Sequence, residues 1–397
     1  MKKILLTSLV ASSILMAGGY KIPEASTNAV ALGAANIAHN HSADAAYYNP
    51  ASMVFMSDEH QIEVDLTYIG LDGTKYTPVT GSAISAKNEN FIVPSLHYVS
   101  KKLGNSGARV GLSIVSPAGL SKRWGEQPAK ASAEEFTLQT IEVNPTAAFE
   151  VNDQVGVAVG FRAVHSSGIV KAAPVAGVVS QDMTGDSLDF GYNLALAYKP
   201  TSDIEIALTY RSKVDLTVEG SADLQHPGLT NGNYNVSVTI PIPATFSAAI
   251  AYTLSTKTTV EFVYEKNYWS AYSNLDFNYE NATVEASAFG ASKPKNWKDA
   301  NAFRLGITQE LDALTLMAGL VIDDSPVPDA TLGFELPDSD STAVSLGGRY
   351  KINDQVDVGL SALYSMREDR TVNNASLNGT FSDSNVLIVS AGIGYKF

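Results

Sequence analysis

The 397 residues contain no cysteine, so no disulfide braces the chain and no thiolate is available as a nucleophile or metal ligand. After residue 17 no run of about 18 apolar residues appears, which excludes a membrane-spanning helix. Basic residues are scarce: 27 Lys and Arg stand against 41 Asp and Glu, a formal charge of −14. That balance argues against nucleic acid as a partner. The chain has no low-complexity tract and no internal repeat beyond a two-residue alternation. Only His39-Asn40-His41 brings two of the six histidines close together. An i, i+2 pair without further ligands in sequence is a weak metal signal, since zinc takes four. No nucleophile-elbow motif occurs, so catalysis finds little support and no cofactor is expected.

Met1-Lys2-Lys3 is basic, residues 4–16 are largely apolar, and Ala17-Gly18-Gly19 is small. That order reads as a secretory signal peptide over residues 1–17, cleaved after Ala17, although Leu15 is larger than the usual small residue three places before a cut. Losing Lys2 and Lys3 takes the charge from −14 to −16. Residues 18–56 are rich in Ala and Asn and show no alternation. A short helix is expected over residues 29–38. Asn49-Pro50 marks a turn, because proline fixes its own φ and restricts the residue before it. This segment reads as a plug inside a barrel formed by residues 57–397; the plainer alternative is an arm packed on the surface.

From His60 onward apolar residues recur at every second position. Val155, Val157, Val159 and Phe161 alternate with Gly156, Ala158, Gly160 and Arg162, and the chain ends on Tyr395-Lys396-Phe397 in the same scheme. A soluble sandwich with one wet face could alternate likewise. Short connections such as Asn152-Asp153 and Asn353-Asp354, however, take turns with seven long polar ones: 71–90, 119–134, 170–185, 219–241, 270–299, 323–340 and 368–384. Short turns on one side, long loops on the other, and tyrosines near strand ends (Tyr198, Tyr210, Tyr252, Tyr264, Tyr350, Tyr364) point to an outer-membrane barrel. The fold class is therefore all-β, a transmembrane antiparallel β-barrel of about fourteen strands with an N-terminal plug in the lumen. An even strand count returns both ends to the periplasmic side, and closure satisfies the backbone in lipid.

Several stretches carry a resemblance: Gly19-Tyr20-Lys21-Ile22-Pro23-Glu24, Tyr48-Asn49-Pro50-Ala51, Gly111–Trp124, Ala207–Val214, Ile240-Pro241-Ile242-Pro243 and Tyr268-Trp269-Ser270. The most specific are Trp297-Lys298-Asp299-Ala300 and Ile322-Asp323-Asp324-Ser325-Pro326-Val327-Pro328. Together they resemble the FadL family of outer-membrane transporters for long-chain fatty acids and other hydrophobic compounds. The resemblance implies a 14-stranded barrel closed by an N-terminal hatch, with Asn49, Pro50 and Ala51 as the hatch motif. It also implies a kink in the third strand that serves as a lateral exit. Ser116, Pro117 and Gly119 are the candidates, since proline removes a ladder donor and glycine weakens a strand; the plain reading is a strand ending at its loop.

Transport of this kind needs an apolar path and one basic partner for a carboxylate head group. Lys298 is preferred, with Arg304 and Arg162 as further candidates, all on inward parity. Arg162 and Arg211 could instead pair with inward Glu205, Glu261 or Glu265. The expected protein is a monomeric passive channel that meets outer-membrane lipid and lipopolysaccharide and carries a fatty acid or another hydrophobic small molecule. The rival from another class is a structural or adhesive barrel with binding loops.

Overall fold

The computed structural model describes residues 18–397 except 105 and 176; the expected signal peptide lies outside the described residues. Fourteen antiparallel strands form the wall. They are β1 (Gln61–Leu71), β2 (Glu89–Val99), β3 (Ala108–Val115 and Gly119–Arg123), β4 (Glu135–Asn152), β5 (Val155–Val175), β6 (Val179–Tyr198), β7 (Ile204–Arg211 and Val214–Gln225), β8 (Gly232–Ile242 and Thr245–Thr253), β9 (Thr258–Asn267), β10 (Ala300–Glu310), β11 (Leu314–Asp323), β12 (Ser341–Lys351), β13 (Val356–Arg367) and β14 (Val386–Lys396). β14 pairs with β1 from Gln61↔Lys396 to Leu71↔Val386, which closes the sheet.

The alternation is that of a barrel in lipid. Phe161, Phe190, Leu194, Leu346 and Ile393 on the outer face are exposed, whereas Arg162, Glu142, Asn193, Glu261 and Arg304 on the inner face are buried. An apolar outside over a polar inside reverses a soluble protein's order, as a hydrocarbon surround requires.

Two expected loops are in fact wall. Residues 170–185 and 219–241 form most of two extended hairpins, β5–β6 and β7–β8, which pair with each other from Gln225↔Ser180 to Glu219↔Asp186. Beyond the bilayer nothing demands an apolar outward face, and along β7 the alternation is reversed: Val214, Leu216, Val218, Ala222 and Leu224 are buried while Asp215, Thr217, Glu219, Asp223 and Gln225 are exposed. The loops 72–88 and 368–385 are joined by a small sheet in which Lys75–Pro78 pairs with Asn378–Ser382 and Ile84–Ser85.

Residues 18–56 fold inside the barrel. Helix α1 (Thr27–Leu32) is capped by the Ser26 hydroxyl and stopped by Gly33 at φ 57°; it starts earlier and ends sooner than the expected 29–38. Helix α2 (Ala45–Tyr48) leads to a 3-10 turn at Pro50–Phe55, with proline in the first turn where its missing N–H costs nothing.

Candidate functional site

The inserted segment is held by the wall largely through its backbone. Glu261 accepts from the amides of Ile37, Ala38 and His39 at 2.7, 2.7 and 3.0 Å. Asp65 accepts from the amide and hydroxyl of Thr27, Arg109 donates to the carbonyls of Met56 and Ser57, and a His97 ring nitrogen lies 3.0 Å from the Ala25 carbonyl. Asn49 is fully buried; its carboxamide accepts from the Ala51 amide and donates to the Ile37 carbonyl at 2.9 Å, tying two passes of the segment together. Ala51 rests on the wall: a Cβ at Gly156 would stand 2.5 Å from its carbonyl oxygen, too close for any side chain. Gly160 and Gly191 face wall side chains instead.

The third strand does not end at Pro117. Val115 pairs with Glu142 and Gly119 with Gln139, so β3 carries one extra residue and resumes. At this bulge the strand turns to the inserted segment: Ile22 donates to the Pro117 carbonyl at 3.0 Å and Gly119 donates to the Tyr20 carbonyl at 2.8 Å. The turn leaves β2 behind. β2 pairs with β3 only over Leu96–Val99, so among the described residues 89–95 have no strand partner on that side. Arg123, paired to Glu89, bounds the gap above. Behind it lie Ile22, Val30, Ile69, Phe91 and Val93 in one apolar cluster. Pro94 within β2 was a signal for this edge, since a proline cannot complete a ladder on both sides. Ser116 donates to the Thr140 carbonyl across the bulge at 2.8 Å.

Above Lys21, toward the long loops, the lumen is apolar. Tyr20, Trp269, Tyr272 and Trp297 pack edge to face, with ring centroids 4.7 to 5.0 Å apart for the Tyr20–Trp269, Trp269–Trp297 and Tyr272–Trp297 pairs. Gly19 at φ 82° lets the chain pass Trp269, where a Cβ would sit 2.5 Å from the indole. Between this cluster and Phe136, Leu138 and Ile240 is a narrow cleft whose edge carries Lys295 paired to Glu335. Burial alone would raise the Glu335 carboxyl, but Lys295 beside it holds it below the ordinary carboxylate range. A second cleft continues along Phe136, Val170, Val218 and Phe277.

The charged candidates are redistributed. Lys298 is exposed, because β10 begins only at Ala300 and the parity of the strand does not extend back to it. Its expected place as the lumenal cation is corrected: the buried lysine of this stretch is Lys295, three residues earlier, in a loop where parity carries no information. Arg304 donates to the Gly33 carbonyl at 2.9 Å and pairs with Glu265 at 3.3 Å. Arg162 and Arg211 both pair with Glu142 rather than with Glu205, Glu261 or Glu265. Both candidate arginines are thus already committed to buried partners, one of which is the inserted segment itself.

A closed barrel with short turns at one end, long loops at the other and an apolar outer belt is an outer-membrane barrel. The chain matches the family described as "Outer membrane protein transport protein (OMPP1/FadL/TodX)" over residues 8–397, and it belongs to that family. It is similar to the long-chain fatty acid transport protein of Salmonella typhi, 27% identical over 80% of each chain. It is 25% identical to the protein of the same name from Escherichia coli O6:H1, over 88% of this chain and 87% of that one. A Pseudomonas aeruginosa FadL homologue superposes with a TM-score of 0.82 at 19% identity, covering 96% of this chain and 99% of that one. The P. putida toluene transporter TodX does so with a TM-score of 0.73 at 16% identity, over 94% and 99%. The protein is an outer-membrane transporter of hydrophobic compounds, and as in its family the work is passive transport and not catalysis.

Proposed function

We propose that the protein is a monomeric passive channel that takes long-chain fatty acids from its outer loops and releases them sideways through the gap beside β3, with residues 18–56 as the hatch. One observation carries this reading: Tyr20 belongs to the apolar cluster under the loops, and Ile22, two residues on, belongs to the apolar cluster behind the gap. The two side chains bracket the point where hatch and β3 pair, so a shift of this short pairing joins the two clusters. The relatives named long-chain fatty acid transport protein favour an acyl chain with a carboxylate. Lys295 is the residue that would meet that head group, with Glu335 as the competitor to be displaced. A path straight down is disfavoured because the lower lumen is lined by Glu63, Glu310, Arg349 and Asp357 around a cavity of about 340 Å³. Each methylene moved from an apolar to a watery site costs about 0.8 kcal/mol. The lumen and the gap are complete within one chain, which supports a monomer, and the apolar belt and outer loops would meet lipid and lipopolysaccharide.

Signal cleavage after Ala17 fits the same picture. The Gly18 nitrogen lies 3.1 Å from Asp323 Oδ2, so an ammonium freed there would meet a buried carboxylate, and the next amide, of Gly19, donates to buried Asp338 Oδ2 at 3.0 Å. The test of function is uptake of a radiolabelled long-chain fatty acid, beside toluene, by cells that depend on this protein. Fatty-acid uptake that follows expression supports the reading; uptake of toluene alone, or of neither, overturns it.

A further inference from the structure

Two hatch histidines meet one carboxylate of the wall near the short-turn end. His39 Nδ1 lies 2.7 Å from Glu205 Oε2 and His41 Nε2 lies 3.1 Å from Glu205 Oε1. The two rings are close, with centroids 4.6 Å apart. We propose that His39, His41 and Glu205 form a site for a divalent transition metal of the zinc type, which would clamp the hatch to β7.

The ligand set is right for such an ion. Two imidazoles and one carboxylate, with a fourth position open to water, make a recurrent zinc arrangement. The three donor atoms fall within 4.8 Å of one another. Tetrahedral ligands around zinc stand about 3.3 Å apart, so small ring rotations suffice. The hatch turn is preset, because Glu261 already fixes the amides of Ile37, Ala38 and His39. His41 also lines a cavity of about 140 Å³ with His39, Glu310 and Arg349, which offers room for a water ligand.

One group opposes the ion. Lys199 pairs with Glu205 and its Nζ stands 3.4 Å from His41 Nε2. In that same position the ammonium stands over the Phe55 ring at 5.0 Å, so it has to give up its Glu205 contact for a cation to enter. The charged groups facing the site are then Glu205, Glu261 and Glu310 against Lys199 and, across the shared cavity, Arg349, which is itself paired with Glu63 and Asp357; the three carboxylates still outnumber the two cations.

The experiment uses the full protein in detergent, titrated with ZnCl2 by calorimetry and with CoCl2 by visible absorption. Wild type should bind one equivalent of zinc, and cobalt should show the intense bands of a four-coordinate ion. His39→Ala/His41→Ala should weaken binding at least about tenfold, and Lys199→Met should tighten it, with folding of each checked by heat-modifiable migration. Zinc should also slow amide exchange of residues 37–45. No binding by wild type and Lys199→Met, or equal binding by the double histidine variant, overturns the proposal. Neither readout depends on transport, so failure here leaves the proposed function untouched.

Discussion

Above Lys21 the lumen is made of Tyr20, Trp269, Tyr272, Trp297, Phe136 and Leu138; below it, of Glu63, Asp65, Glu205, Glu261, Arg304 and Arg349. The upper half is closed by apolar side chains meeting one another; in the lower half Asp65, Glu261 and Arg304 reach amides and carbonyls of the hatch backbone, while Glu63, Glu205 and Arg349 sit in ion pairs. An apolar contact is non-directional and can slide, whereas a buried carboxylate that accepts three amides has one geometry and loses heavily if it is left unpaired. The upper half can therefore rearrange around a greasy ligand while the lower half stays put. The short hatch–β3 pairing at residues 20–22 and 117–119 is the seam between the two.

The largest effect should come from stapling that seam. Lys21 and Ala118 face each other in the antiparallel bridge between hatch and β3. Their neighbours make the flanking hydrogen bonds, so theirs is the non-hydrogen-bonded pair, with Cα atoms roughly 4.5 Å apart, within disulfide range. The chain has no cysteine of its own, so Lys21→Cys/Ala118→Cys yields a single defined bridge. Oxidised, this variant should lose most of its fatty-acid uptake, and reductant should restore it. Full uptake in the oxidised form would show that the seam need not open.

Next in size is the hatch motif. Asn49→Ala removes two hydrogen bonds and leaves the Ile37 carbonyl without its donor, a loss of about 1–3 kcal/mol within the hatch. Pro50→Ala frees the first turn of the 3-10 segment. Because the barrel ladder closes without the hatch, both variants should reach the membrane heat-modifiable and at normal level, with uptake impaired. Normal uptake in both would place the motif outside the mechanism.

These expectations also mark how far residue order alone can reach. The alternation was legible because lipid outside and polar lumen inside impose opposite demands on neighbouring residues such as Phe161 and Arg162. Where that contrast stops or reverses, reading by parity fails too. Lys298 took an inward place only by extending β10 two residues beyond its start, and the extended hairpins at 170–185 and 219–241 passed for loops. The hatch anchors were illegible for another reason. Arg109, His97 and Glu261 bind carbonyls and amides, which every residue carries and no sequence distinguishes. Arg162 meets Glu142 across the neighbouring strands β5 and β4, and Arg211 reaches the same carboxylate from β7, three strands away, a meeting that only the closed barrel fixes.

A smaller effect sharpens the upper half. Lys295→Met should weaken binding of a long-chain fatty acid about tenfold, since a charge-assisted hydrogen bond contributes about 1.5–3 kcal/mol and displacing Glu335 offsets part of it. A neutral hydrocarbon of equal length should bind nearly unchanged. Glu335→Gln frees the ammonium and should tighten the acid. Exposed Lys298→Ala should do neither. Fluorescent-ligand displacement in detergent measures all three, and equal losses for acid and hydrocarbon in Lys295→Met would reduce that lysine to a packing role.

The smallest effect lies in the lower half and depends on pH. Glu24 is buried on the hatch beside Arg304, with Glu265, Asp323 and Lys21 around it, and its Oε2 has no hydrogen-bond partner among the described residues. Burial pushes its carboxyl up to about 7, Arg304 opposing this in part. An acid whose seated form holds its proton more tightly than its released form binds more protons when seated. Seating is thus most favoured below the ordinary carboxylate range, weakens as pH rises toward 7, and changes no further above it. Amide exchange at residues 22–32, corrected for intrinsic rates, should accordingly show less protection at pH 7.5 than at pH 5.5. Glu24→Gln cannot ionise and should show a smaller difference between the two pH values than wild type. If wild type and Glu24→Gln show the same pH dependence, the drift belongs to another group, and the lower half is as insensitive to pH as its paired charges alone would make it.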